Sequence, residues 1–303
     1  MSQRLKVYKI ADLPRETRLH EGRMKRYSLR TQHAQIVFGE ITPQPAGQQH
    51  NHRPPHDHPY DMLLVVLDGT MMQDVEGVEY RLDAGSATIV PAHYMHRGFA
   101  FGDRPASLFE VFAPARTDYI DLVEYQTEFS DKGEHWVKGD SFTWTPFTRN
   151  DPGKKRLPVY QLADMPVENK LHDGRMRRKS IRTEHAQVVW AEITPQPKSQ
   201  QTHHRKPHDH PYDMMLMCNK GGMRMEVGGV DYDMPAGTAM IIPAFTMHRG
   251  YAVGDEPTSL IEIFAPARLD YGHLVAYQEE QFSDKGKPWV KPEFDSWNKP
   301  PGA

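Results

Sequence analysis

The chain has a single cysteine, Cys218, in 303 residues, which excludes an intrachain disulfide framework and any CxxC-type zinc or redox motif. It also lacks an excess of basic charge. Its 37 Lys and Arg stand against 40 Asp and Glu, a net charge of -3, so a broadly basic nucleic-acid binder is not expected. Long hydrophobic runs are missing too. No apolar stretch approaches the roughly 20 residues that a membrane helix requires, and the start, MSQRLKVYKIADLPRE, carries no apolar signal-like core. Together these absences predict a soluble, cytoplasmic protein with neither a membrane nor a nucleic-acid partner. What the sequence has in surplus is histidine: 17 residues, roughly twice the usual share. Such a surplus bears on metal or acid–base chemistry only where it clusters.

The histidines cluster within a repeat. PHDHPYDM around His56 recurs around His208, 152 positions later, and the same offset maps Tyr8 to Tyr160, His96 to His248 and Arg116 to Arg268. A period of this length is one domain written twice. The polar stretch TRNDPGKKRLP cannot bury a face, so the expected boundaries are 1–147 and 159–303 with a linker at 148–158. Within each copy, runs such as MLLVVL, GVEYRL, SATIVP and SLFEVF are apolar or alternating, and Gly, Asp and Pro punctuate them at spacings near ten residues. That rhythm predicts an all-β sandwich or small barrel. DYIDLVEYQ is expected as a short peripheral helix capped by Asp118.

His56 and His58 are two residues apart, a spacing that puts both imidazoles on one face of an extended strand. His96 follows in GSATIVPAHYMHRG, and the second copy matches with His208, His210 and His248. Neutral imidazoles suit first-row divalent metals, and a lone histidine would more often be a satisfied polar residue. Two triads at identical spacing favour metal binding.

The pattern His-x-His, a Gly eleven residues after the second His (His58 to Gly69), and then Gly-x5-Pro-x4-His through Gly85, Pro91 and His96 resembles the two motifs of the cupin superfamily. Two copies make the chain similar to a bicupin. The resemblance implies two tandem antiparallel β-barrels of jelly-roll type with a few short peripheral helices, packed as an internal pseudo-dimer, each holding a metal by its motif histidines. A further homodimer is compatible with this, but no residue indicates it. In many metal-binding cupins a Glu or Gln four residues after the second His is a fourth ligand. Here that place is Met62 and Met214, and a thioether is a poor ligand for harder ions, so both are read as pocket walls. His93 stands where the second motif often has Gly, and Phe245 is its counterpart. Both are expected to narrow the pocket mouth.

LFEVFAPAR and LIEIFAPAR contribute Glu110, Phe112 and Arg116, and Glu262, Phe264 and Arg268. Their spacing looks like that of small cupins that tautomerise or open unsaturated uronates, where acid, aromatic and arginine line the pocket. The glutamates could serve as general acid or base and the arginines could grip a carboxylate, or each pair could form a salt bridge at the barrel rim. His52 and His204, in the His-, Arg- and Pro-rich stretches before the motif, are expected at the rim as substrate contacts. Asp61 and Asp213 read as carboxylates behind the ligands, Arg97 and Arg249 as structural, and Tyr119 and Tyr271 as packing residues. Cys218 takes the place of Val66 and reads as buried. His20, His172, His33 and His185 have no spacing that marks a site.

Three functions follow. A three-histidine centre without a carboxylate resembles cupin dioxygenases, so the preferred expectation is an Fe(II)-dependent dioxygenase of a small oxygenated anion such as a diketone, thiol or phenolic. Mn, Ni, Zn and Cu are the other metals the donors suit. The alternative is a metal-dependent lyase or isomerase of a sugar acid or hydroxy-keto acid with Glu110 or Glu262 moving the proton. The third is a ligand-binding bicupin without catalysis.

Overall fold

The structure is a computed structural model that describes residues 4–129 and 156–278. Its described strands are β1 (Val7–Lys9), β2 (Met24–Arg30), β3 (Gln35–Ile41), β4 (Met62–Asp68), β5 (Thr70–Val75), β6 (Val78–Asp83), β7 (Ser86–Val90), β8 (His96–Phe101) and β9 (Ala106–Phe112). They continue through β10 (Val159–Gln161), β11 (Met176–Arg182), β12 (Gln187–Ile193), β13 (Asp213–Lys220), β14 (Gly222–Val227), β15 (Val230–Pro235), β16 (Thr238–Ile242), β17 (His248–Ala252) and β18 (Thr258–Ala265). The all-β class and the tandem, barrel-like architecture follow from them.

The unit Pro14–Met165 has a six-stranded sheet in the order β10-β7-β4-β9-β3-β2 and a three-stranded sheet in the order β6-β5-β8. Every pairing is antiparallel. The residues explain the layers. β4 is buried on both faces over Met62–Val66, as a continuous apolar run between two partner strands must be. β5 and β6 alternate instead: Met71, Gln73, Val75, Tyr80 and Leu82 are buried, while the residues between them meet solvent to varying degrees. Their hairpin turns on Glu76 and Gly77 at φ 53 and 77, the left-handed pair that a two-residue turn needs. Gly69 has φ 72, and a Cβ there would lie 2.5 Å from the Pro105 carbonyl oxygen. No other residue fits that place without a shift of the chain. The core gathers Val37, Met62, Leu64, Val66, Leu108 and Phe112.

The other unit, Met1–Leu13 with Pro166–Ala303, repeats this as β1-β16-β13-β18-β12-β11 and β15-β14-β17. Its core gathers Val189, Met214, Leu216, Cys218, Leu260 and Phe264. The compact units differ from the boundaries expected at 147 and 159. β1 is hydrogen-bonded to β16 of the second copy, and β10 to β7 of the first, so each copy's opening strand completes the other copy's sheet. The buried Leu13 and Met165 lie where the chain passes from one unit to the next. Residues 148–155 of the expected linker lie outside the described residues.

The peripheral helix is a 3-10 segment, Thr117–Leu122, with Arg116 rather than Asp118 at its N-cap position. Its counterpart is Leu269–Gln278. The following Gln126 ties the segment to the sheet: its side chain accepts from the Arg30 N–H at 2.8 Å and donates to the Arg30 carbonyl at 3.0 Å.

Candidate metal centres and their cavities

His56 lies in an isolated bridge to His96, with backbone hydrogen bonds of 3.0 and 2.8 Å in the two directions. His58 follows in the same extended segment before β4, and His96 opens β8. The rings of His56 and His58 stand 4.4 and 4.8 Å from that of His96, and 6.3 Å from each other. In the second unit the matching separations are 4.5, 4.9 and 6.2 Å for His208, His248 and His210. The same triangle is thus built twice.

Hydrogen bonds fix the tautomers. His58 Nδ1 lies 2.7 Å from the Tyr60 carbonyl and His96 Nδ1 2.8 Å from the Tyr94 carbonyl. His210 and His248 contact the carbonyls of Tyr212 and Thr246 in the same way, each at 2.8 Å. A carbonyl only accepts, so each Nδ1 carries the proton and each Nε2 keeps its lone pair. The Nε2 atoms of His58 and His210 are buried with no hydrogen-bond partner. A buried lone pair without a partner is costly in a protein and is what a cation satisfies. Burial, with neighbouring histidine and arginine charge, lowers His58 and His210 to about 3 and His208 to about 4. Burial lowers His96 and His248 as well. All five are therefore neutral at pH 7, the form that ligates. The two triads fit a divalent transition ion.

Among the described residues a tighter group exists: His203, Glu226 and Asp231, with ligand atoms within 4.8 Å of one another. Its carboxylates are already engaged. Glu226 accepts from Arg249 at 2.6 Å, and Asp231 accepts from Arg224 at 3.4 Å. We therefore assign the metal chemistry to the histidine triads, in which the buried Nε2 atoms of His58 and His210 have no such partner.

The triads open onto cavities. In the first unit one of about 70 Å³ is bordered by His56, His96, Met62, Glu110 and Arg116. In the second, one of about 390 Å³ is bordered by His208, His248, Met214, Glu262 and Arg268. The methionines sit in the walls. Burial raises the pKa of Glu110 and Glu262, against the opposing pull of Arg116 and Arg26, and of Arg268 and Arg178. Arg116 is itself buried, stacked 3.8 Å over Tyr119 and 5.0 Å over Phe112. Arg268 lies 3.8 Å over Tyr271 and 4.9 Å over Phe264.

Several expected pocket residues lie elsewhere. Phe112 and Phe264 do not border the cavities; each is fully buried edge-on to His58 or His210 at 5.5 Å and supports that ring. His93 and Phe245 are not among the residues that border the cavities. They occupy left-handed backbone at φ 61 and 58, which explains a preference for Gly there, and their N–H groups donate to the carbonyls of His58 and His210 at 2.8 Å. His52 and His204 are not among the residues that border the cavities: His52 lies 3.4 Å from both Arg23 and Gln44, and His204 contacts Arg175 at 3.5 Å. Asp61 and Asp213 accept the N–H groups of Ala92 and Ala244 at 3.0 and 3.1 Å, holding the loops that lead to His96 and His248. Arg97 and Arg249 are ion-paired to Asp74 and Glu226, as structural residues, yet also border the cavities.

Other residues reach the cavities without a signature in the sequence. Tyr119 and Tyr271 line them rather than merely pack, and so do His20 and His172. Each of these histidines opens a left-handed pair, His20–Glu21 at φ 51 and 58 and His172–Asp173 at φ 55 and 56, a strained conformation that concentrates at functional sites. Only the repeated LHEGR and LHDGR could have pointed to them. Burial first, then nearby Arg53 or Arg205, lowers both to about 4. A histidine with a depressed native pKa contributes stability above its unfolded value of about 6.5, and that contribution is lost as pH falls toward about 4. The melting temperature of the metal-free chain is therefore expected to fall over this window. A His20→Gln, His172→Gln double variant is expected to show a shallower fall by calorimetry, and an unchanged slope would contradict this.

The geometry agrees with the comparisons. A family model described as the cupin domain matches residues 41–112 and 193–264. No curated protein matches the sequence. Among solved structures, the oxalate decarboxylase formate complex from Lactobacillus farciminis is 15% identical, with a TM-score of 0.56 over 99% of this chain and 98% of that one. AerE from Microcystis aeruginosa is 14% identical, with a TM-score of 0.54 over 83% of this chain and 96% of its own. At such identities the likeness concerns the fold. Two family matches, each spanning a histidine triad and a jelly-roll sheet, make this chain a tandem cupin, a bicupin of the cupin superfamily.

Proposed function

We propose that the chain is a metal-dependent lyase or isomerase acting by proton transfer on a small organic acid. The observation that carries this reading is the position of the glutamates. Each borders the same cavity as two motif histidines and an arginine, and burial raises its pKa, so its carboxyl favours the protonated form that can donate and then recover a proton. A divalent transition ion supplies Lewis-acid polarisation when bound. Arg116 or Arg268 holds a substrate carboxylate in a two-pronged grip, and Glu110 or Glu262 moves the proton. Met62, Leu64 and Met71, or Met214, Leu216 and Met223, form the apolar wall that limits water. A cytoplasmic setting is part of the proposal and accords with Cys218, a buried thiol pushed up to about 11.

A second reading, an Fe(II)-dependent dioxygenase, is favoured by the methionines standing where a carboxylate ligand would otherwise close the centre. The full chain loaded with Zn(II) or Mn(II) separates the two. Turnover of hydroxy-keto or sugar acids with oxygen excluded is expected. Turnover that requires Fe(II) and consumes oxygen would overturn the proton-transfer reading.

A further inference from the structure

The two cavities differ where the two copies differ. The C-terminal cavity, about 390 Å³ against about 70 Å³, has Met225 where the N-terminal one has Gln73, and Lys206 where the first copy has Pro54. At roughly 10–15 Å³ per water, one admits a few small molecules' worth of solvent and the other a multi-carbon acid. Charge differs in the same direction. Arg178 borders the C-terminal cavity, whereas Arg26, its counterpart, does not border the N-terminal one. The Arg178 side chain is 4% exposed, its Nε donates to Glu168, and it lies 4.1 Å over Tyr271, the ring that Arg268 also covers. Its Nη1 is buried with no hydrogen-bond partner, as is the Nη1 of Arg26 in the first unit, so what sets Arg178 apart is that it borders the cavity. A guanidinium nitrogen left unmet beside a cavity is a ready seat for a carboxylate.

We propose that the C-terminal cavity takes an organic acid with two anionic groups, one seated on Arg268 and the second on Arg178, with Lys206 at the mouth, while the N-terminal cavity admits only a small monoanion. This rests on the reading that Arg268 holds a substrate carboxylate. It assigns the copies different substrates and makes Arg178 a specificity residue.

The test is calorimetric titration of the full Zn(II)-loaded chain with succinate and with butyrate, acids of equal carbon number. Succinate is expected to bind one per chain and at least about tenfold tighter than butyrate, as one added charge-assisted contact provides. Arg178→Lys keeps a cation for Glu168 but loses the fork, and is expected to weaken succinate by about 10- to 100-fold and butyrate by less than about threefold. Lys206→Pro restores the residue of the other copy and should weaken succinate alone. Equal affinity for the two acids, two succinates per chain, or succinate binding indifferent to Arg178→Lys would overturn the proposal. The titration reads binding, so a failure of catalysis does not enter it. Butyrate affinity unchanged in Arg268→Lys would instead locate the fault in the first seat.

Discussion

Replacing His58 by alanine is expected to leave the full chain with one metal ion, against two expected in the unaltered protein. The cause is the lone pair. His58 Nε2 is buried, partnerless, and oriented by the Nδ1 contact with the Tyr60 carbonyl, so its removal takes away the least replaceable donor of the first triad. Losing an outer-shell partner costs about 10- to 100-fold in metal affinity, and losing the ligand itself should exceed that. His210→Ala is expected to do the same to the second unit, and the double variant to hold none, as read by elemental analysis of protein reconstituted and desalted. Thermal stability gives an independent check. Metal bound only to the native state raises stability by about 2.7 kcal/mol at a hundredfold excess over Kd. The unaltered chain should therefore melt higher with Zn(II), and the double variant should not. Two ions retained in the double variant would remove the triads from consideration.

Glu262→Gln is expected to lower kcat on the C-terminal unit's substrate by about 100- to 10,000-fold, the range of a positioned general acid or base. Metal content and KM should change little. The exchange conserves shape, and burial already favours the uncharged carboxyl that the amide imitates, so folding is not expected to suffer. What the amide cannot do is give up and regain a proton. Glu110→Gln is the parallel test for the first unit, and the pair of variants identifies which unit turns over a given acid. If both variants retain turnover within a few-fold while oxygen is consumed, the redox reading gains and the glutamates become wall residues.

Much of this site was legible because its logic is local. His56 and His58 declare an extended segment by their spacing, and His96 follows a Gly and a Pro that set its strand. The all-β character was equally open, since the runs at Met62–Asp68 and Val78–Asp83 display continuous and alternating burial in their own letters; the jelly-roll topology came only with the resemblance to cupins. What escaped was decided at a distance. Arg178 and Tyr271 meet only because β11 packs on the segment after β18, and neither neighbourhood hints at the other. His20 and His172 enter their cavities through left-handed backbone that histidine rarely adopts, so no propensity forecasts it. His93 and Phe245 misled for the opposite reason: bulk in a sequence suggests a wall, yet the contribution of these residues is a backbone N–H. The unit boundaries escaped because a strand pairing away from its own copy leaves no local mark.

That pairing sets a timetable. On a ribosome the N-terminal side of the chain emerges first, and Pro14–Met165 has every described strand of its sheets once Val159–Gln161 has been made. Val7–Lys9 finds its place only against Thr238–Met240, so it must wait until that later strand has been made before its edge exists. Contacts between such distant parts of a chain close slowly. The second unit is thus completed by a strand made about 230 residues before the edge it joins.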